Sequence, residues 1–268
     1  MLRISGTGES HVGLVRPDNQ DSAFVGPTCM LVADGVGGGA AGEVASATTA
    51  YAVAASALLH AGEEPAAVLR EAVRLAQAQV RAGVLADERR AGMATTLTAV
   101  VTDGEHFVLA HVGDSRGYVF RDGDLTRVTR DHTYVQELID EGRLDQLGAA
   151  HHPWRNVVLR TVNGVDDGEP DILALFLRPG DRLLLASDGL TDLVEEAEIA
   201  RVLSGRSDDD AVSGLVAAAL GRGGRDNITC VVATVVDGPA ISADGMLLGA
   251  VRDPVNVIDI AAVRSASA

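Results

Sequence analysis

Four times along this chain a short apolar run meets an aspartate at a turn. The stretches are CMLVAD-G at Asp34, VLAHVGD-S at Asp114, LLLASD-G at Asp188 and GRD-NITCVV at Asp226. Short runs of this kind, bounded by Gly, Asp and Ser, read as buried strands. Strand ends reached through different hairpins can meet at one edge of a sheet sandwich. The four aspartates then share an end of the molecule. Asp-Gly after a strand is also an ordinary turn, and each aspartate taken singly is explained that way. Taken together they raise a rival reading. Carboxylates gathered at one edge repel and raise each other's pKa unless a cation neutralises them. Oxygen ligands of this type suit Mg²⁺ or Mn²⁺.

Behind Asp34 the chain continues GVGGGAAGE, so that Gly35, Gly37, Gly38 and Gly39 crowd the same turn. Glycine lets a backbone carbonyl approach an ion closely, which gives the run a purpose. A phosphate-cradling P-loop is discounted, because its spacing and its lysine are missing.

The remaining sequence sets the frame. Its 268 residues suffice for one large domain. Aromatics are only 3% of the chain against 47% hydrophobics, so the core is built from Ala, Val and Leu. The net charge, 22 − 38 = −16, argues against nucleic acid and anionic membranes as partners. Cys29 and Cys230 each sit inside an apolar run and read as buried free thiols. The N-terminus MLRISGTGES lacks the apolar core of a signal peptide, and no stretch is long enough to span a membrane. A cytoplasmic location is the expectation.

The first strands are expected near 22–34. Helices follow over 41–61 and 64–86, the second with apolar residues at helical spacing opposite Arg and Glu. TTLTAVVTDG, EHFVLAHVGDSRGYVFRDG and DLTRVTRD read as a meander of antiparallel hairpins. A helix over 133–142 precedes an irregular loop over 143–157. DRLLLASDG and NITCVVATVVDG are strands, with helices near 192–203 and 208–221 between them. Strands and helices arrive in blocks, so the class is α+β with helices outside sheets. Residues 237–268 lack periodicity and read as an extension, docked or partly disordered.

The ordered set RPDNQDS (16–22), VADGVGGGAAGEVAS (32–46), GMATTLTA (92–99), HVGDSRGYVF (111–120), LTRVTRDH (125–132), LLLASDGLTD (183–192) and GRDNITCVV (224–232) resembles the metal-dependent serine/threonine protein phosphatases of the type 2C (PPM) family. The bacterial stand-alone members are the most similar. The likeness covers roughly 3–236, which sets a catalytic domain at 1–236 and the extension at 237–268. It implies a four-layer αββα sandwich, two antiparallel sheets flanked by helices, with a dimetal site at one end.

Residue by residue, the resemblance implies that Asp34 bridges two Mn²⁺ or Mg²⁺ ions and that the Gly35 carbonyl completes one of them. Asp188 and Asp226 hold the other, and Asp114 shares a third, looser ion with Asp188. Arg16 grips the substrate phosphate, and Asp21 hydrogen-bonds metal-bound water. The implied reaction is direct attack on phosphoserine or phosphothreonine by a water bridging the two ions, without a covalent intermediate. The implied partners are phosphorylated proteins and Ser/Thr kinases, for an enzyme expected to be a monomer. Where eukaryotic members often carry a histidine two residues after the bridging aspartate, this chain has Val36, as many bacterial members do; His132 and His152 are the nearest candidates in sequence, and each reads as structural or solvent-exposed. The family's variable flap corresponds to 143–157, with Trp154 expected to anchor it. Two other readings stay open: a metallohydrolase of small phosphate esters, and a catalytically weak binding module built on the same fold.

Overall fold

The computed structural model describes residues 1–36, 41–165, 169–239 and 245–263. Two antiparallel sheets stack face to face. One runs β1 (Leu2–His11), β11 (Ile228–Asp237), β10 (Arg182–Ala186), β7 (Arg116–Arg121), β8 (Asp124–Arg127). The other runs β12 (Met246–Gly249), β2 (Asp21–Val25), β3 (Cys29–Val36), β5 (Leu97–Thr102), β6 (Phe107–Val112), β9 (Asp171–Leu175), with the short β4 (Ala94–Thr95) beside the end of β3.

Period-two alternation explains why the central strands are apolar throughout. On β3, Met30 and Val32 face the second sheet, while Cys29, Leu31 and Ala33 face helices. On β10, Leu183 and Leu185 point inward, and Leu184 and Ala186 point out. Both faces of these central strands are therefore buried, and no polar alternation survives in them. Helices α1 (Gly42–Leu59) and α2 (Pro65–Ala86) cover one sheet, and α6 (Glu196–Leu203) and α7 (Asp208–Gly221) cover the other. The result is the four-layer αββα sandwich. Alanine does the packing that aromatics do elsewhere: Ala45, Ala47, Ala50, Ala52, Ala72 and Ala76 are all buried between helix and sheet. Burial pushes the Cys29 thiol up to about 12, and Cys230 is likewise free and buried.

Several elements depart from expectation. The chain opens with β1, well before residue 22, paired with β11 from Leu2↔Asp237 to His11↔Ile228. Its sequence, LRISGTGESH, holds two glycines and little apolar alternation, so it carries no strand signal. Gly6 is required there: a Cβ would lie 2.4 Å from the Val232 carbonyl oxygen. The segment expected to be irregular over 143–157 contains α4 (Gln146–Ala150), whose first turn is capped by Asp145 accepting from the Gly148 N–H at 2.7 Å. Beyond 237, β12 pairs with β2, and Leu248, Val251 and Val257 are buried. Gly37, Gly38 and Gly39 lie outside the described residues. Among the described residues no helix is long and apolar enough to cross a membrane.

Candidate active site

The strand-end aspartates meet at one end of the sandwich. Asp34 lies near the end of β3, and Asp21 at the start of β2 is its direct cross-strand neighbour. Asp188 opens α5 (Asp188–Thr191), the helical turn that follows β10. Asp226 stands two residues before β11, and Asp114 lies in the turn from β6 to β7.

The main chain fixes these positions and leaves the carboxylates free to work. The Asp34 N–H donates to Thr96 Oγ1 at 3.0 Å, and its carbonyl accepts from the Thr96 N–H and the Thr95 hydroxyl at 2.9 and 2.8 Å. Gly35 is needed because a Cβ would lie 2.4 Å from the Gly42 carbonyl oxygen and 2.7 Å from that of Gln20. Gly189 is needed for the same reason, since its Cβ would reach within 1.9 Å of the Asn227 carbonyl oxygen. Close approach, rather than unusual backbone angles, accounts for both glycines.

The electrostatics bind the aspartates into one unit. Burial first, then Asp21, Asp188, Asp114 and Asp226, hold the Asp34 carboxyl well above the usual range. Asp188 is raised well above it by burial and by Asp114, Asp192, Asp226 and Asp21. Burial, with repulsion from Asp131 and Asp192, lifts Asp114 to about 7. Asp21 rises to about 6 through burial, against the pull of neighbouring hydroxyls. Its Oδ2 accepts from the Ser187 hydroxyl at 2.8 Å, while its Oδ1 is buried without a hydrogen-bond partner.

That orphaned oxygen and the mutual repulsion are the marks of a cation's donor set. Hard carboxylate oxygens fit Mn²⁺ or Mg²⁺ completed by water and a carbonyl. Among the described residues no three His, Cys, Asp or Glu side chains close a metal cage by themselves. Arg16 supplies the nearest positive charge, its Nη2 donating to Asp226 Oδ2 at 2.7 Å. Val36 is a strand residue paired with Ala94.

Two other participants, Asn227 and Asp192, escaped the sequence. Asn227 ties three segments at the mouth. Its side chain accepts from the Gln20 N–H at 2.8 Å and donates to the carbonyls of Val12 and Asp18, both at 2.9 Å. Asp192 lies one helical turn after Asp188 and is raised by burial. His132 clamps the Asp114 turn: Gly113 N–H donates to His132 Nδ1 at 3.0 Å, and His132 N–H donates to the Gly113 carbonyl at 2.8 Å. His152 accepts from the Trp154 N–H, and the Trp154 ring lies 5.3 Å from Tyr134, edge-on. Asn227, Asp192 and His132 all fall within the motif stretches, but their types alone do not separate a fastener from a turn residue.

A protein-family profile described as "Protein phosphatase 2C" matches residues 5–215. Serine/threonine protein phosphatase PstP of Mycobacterium tuberculosis (strain ATCC 25618 / H37Rv) is 42% identical over 239 residues, covering 89% of this chain and 46% of that protein. The chain thus spans about half the length of that relative. Serine/threonine phosphatase stp of Listeria welshimeri is 34% identical over 231 residues, covering 82% of this chain and 91% of that protein. Among solved structures, the catalytic domain of PstP in complex with two manganese ions superposes with a TM-score of 0.79 at 40% identity, covering 88% of this chain and all (100%) of that one. With the matched profile, these relatives and the shared sandwich, the chain belongs to the protein phosphatase 2C family.

Proposed function

We propose that this chain is a metal-dependent phosphatase of phosphoserine and phosphothreonine in proteins. The observation that carries the reading is the cluster of Asp21, Asp34, Asp114, Asp188 and Asp226, drawn from separate strand ends into mutual repulsion beside one guanidinium. Its relatives' names and the manganese-bound structure support it.

Asp34, with the Gly35 carbonyl, Asp188 and Asp226 would hold two Mn²⁺ or Mg²⁺ ions, and Asp114 a third. Bound there, the ions supply positive charge against the phosphoryl oxygens and acidify the attacking water. The chain's own groups do the rest. Asp21 keeps a buried oxygen without a partner beside the cluster, where it would accept a hydrogen bond from water and orient it. Arg16 is held at the mouth by Asp226; once Asp226 turns to a cation, the guanidinium is released to grip phosphoryl oxygens as a planar fork. Neither cysteine serves as nucleophile, since burial keeps both thiols protonated. Residues 1–236 form the catalytic domain and 237–268 an extension of it. The enzyme acts opposite Ser/Thr kinases as a cytoplasmic monomer, a location supported by its two free thiols.

Substrate class is tested by initial rates in Mn²⁺ on matched phosphoserine, phosphothreonine and phosphotyrosine peptides and on phosphorylated metabolites. The first two should lead in kcat/KM. Preference for the metabolites would overturn the protein-phosphatase reading.

A further inference from the structure

Beside the aspartate cluster, a cavity of about 430 Å³ runs beneath α3 (Tyr134–Asp140) and α4. Asp114, Asp188 and Asp226 line its inner end. Its volume lies within the range of ligand pockets. Four arginines also line it, and they divide into two pairs. Arg116 and Arg127 are both committed to Asp131, the first through Nη2 to Oδ2 at 2.8 Å. Among the described residues, Arg155 and Arg225 are tied to no carboxylate by a close ion pair; the charge of Arg155 acts on Asp192 across the same cavity.

The other arginines beside acidic groups differ. The chain's net charge is −16, and Arg74, Arg89, Arg121, Arg160, Arg178 and Arg182 are each tied to a nearby carboxylate. Both Arg155 and Arg225 are exposed, so neither is held by packing. With Asp114, Asp188 and Asp226 engaged by cations, Asp192 is the carboxylate left beside Arg155, and Arg225 faces none by a close ion pair among the described residues. The net charge of −16 repels an acidic peptide at long range, so a local basic pair is what would favour one near the site.

We propose that Arg155 and Arg225 form a second anion subsite, which takes an acidic side chain lying within a few residues of the phosphorylated serine or threonine. The inference rests on the phosphatase reading and deepens it by naming a substrate preference. The ligand chemistry is a carboxylate or a second phosphate, and a guanidinium fork accepts either. Exposed charge pairs are individually weak, so the two together give a preference of roughly three- to tenfold in kcat/KM. Screening shrinks it as salt rises.

The test uses the full chain in Mn²⁺ and three sets of phosphothreonine peptides on one backbone. One set is neutral at the flanking positions, one carries Glu there, and one a non-hydrolysable phosphonate analogue of phosphoserine. The quantity read is the ratio of kcat/KM for an acidic peptide to that for the neutral one. Wild type should show the ratio above one, falling with added salt. Arg155→Gln with Arg225→Gln should bring it to about one, and the paired lysine substitutions should keep part of it. A larger Glu ratio assigns the subsite to carboxylates, a larger phosphonate ratio assigns it to phosphate, and equal ratios above one assign it to either anion. Equal rates on all three sets by wild type, or a ratio unmoved in the double glutamine variant, overturns the subsite alone. Failure to hydrolyse any of the peptides overturns the phosphatase reading and this one with it.

Discussion

Asp34 is where the demands of folding and of function conflict most openly. Its backbone is tied by three hydrogen bonds, but its half-buried carboxyl stands among four others and is held well above its ordinary pKa. Asp34→Asn should abolish turnover and weaken Mn²⁺ binding in calorimetry, while making the metal-free protein more stable. Each kcal/mol of repulsion removed should raise Tm by roughly 2–4 °C. A variant that melts lower in chelator would show that the carboxylate supports the fold. Arg16 lies at the opposite pole. Its pair with Asp226 is half exposed, so Arg16→Ala should leave Tm nearly unchanged. Loss of the phosphoryl contact should cost kcat/KM about 10- to 100-fold, with Arg16→Lys restoring only part. Wild-type kcat/KM in the alanine variant would remove Arg16 from the site. At this scale the aspartates were legible because an ionisable residue ending an apolar run stands out. The contact of Arg16 with Asp226 was not, because it joins residues 210 positions apart.

Among the elements, the turn between β6 and β7 shows how a ligand is aimed from behind. His132 accepts the Gly113 N–H through Nδ1, and its Nε2 lies 3.0 Å from Asp171 Oδ2, a carboxylate that Arg160 Nη1 also binds at 2.8 Å. Burial lowers the His132 pKa, so the ring is neutral, accepting at Nδ1 and donating from Nε2 to Asp171. Asparagine at 132 reproduces the Nδ1 acceptor, and glutamine reaches only the Nε2 position. His132→Asn should therefore keep the Asp114 turn, and the dependence of turnover on Mn²⁺ concentration, closer to wild type than His132→Gln. The reverse order would contradict the clamp. The tail offers a second check on elements. Leu248 is buried on β12, and Leu248→Ala should cost about 2 kcal/mol in denaturant unfolding. No loss would mean β12 is not held against β2. The helices and central strands were legible from periodicity and apolar runs. β1 and β12 were not, since both owe their place to a partner strand distant in sequence, Ile228–Asp237 in one case and Asp21–Val25 in the other. Local pattern does not encode such pairing.

For the molecule as a whole, the carboxylate cluster makes stability depend on pH and on cations together. Unfolded aspartates release their protons near pH 4, whereas native Asp21 keeps its proton to about 6 and Asp114 to about 7. Between those limits the native state binds more protons than the unfolded one, so metal-free stability falls as pH rises through the window. Thermal melts in chelator should give a lower Tm at pH 8 than at pH 5. Saturating Mn²⁺ should reverse the order, because the cations bind ionised carboxylates. Identical slopes with and without Mn²⁺ would deny the cluster its cations. The most direct measurement is phosphate release from a phosphothreonine peptide by exhaustively chelated protein, followed as Mn²⁺ is added back. No release before addition is predicted, then recovery with rising Mn²⁺ in wild type and none in Asp34→Asn. Full turnover in the chelated protein, or equal recovery by Asp34→Asn, would contradict the account.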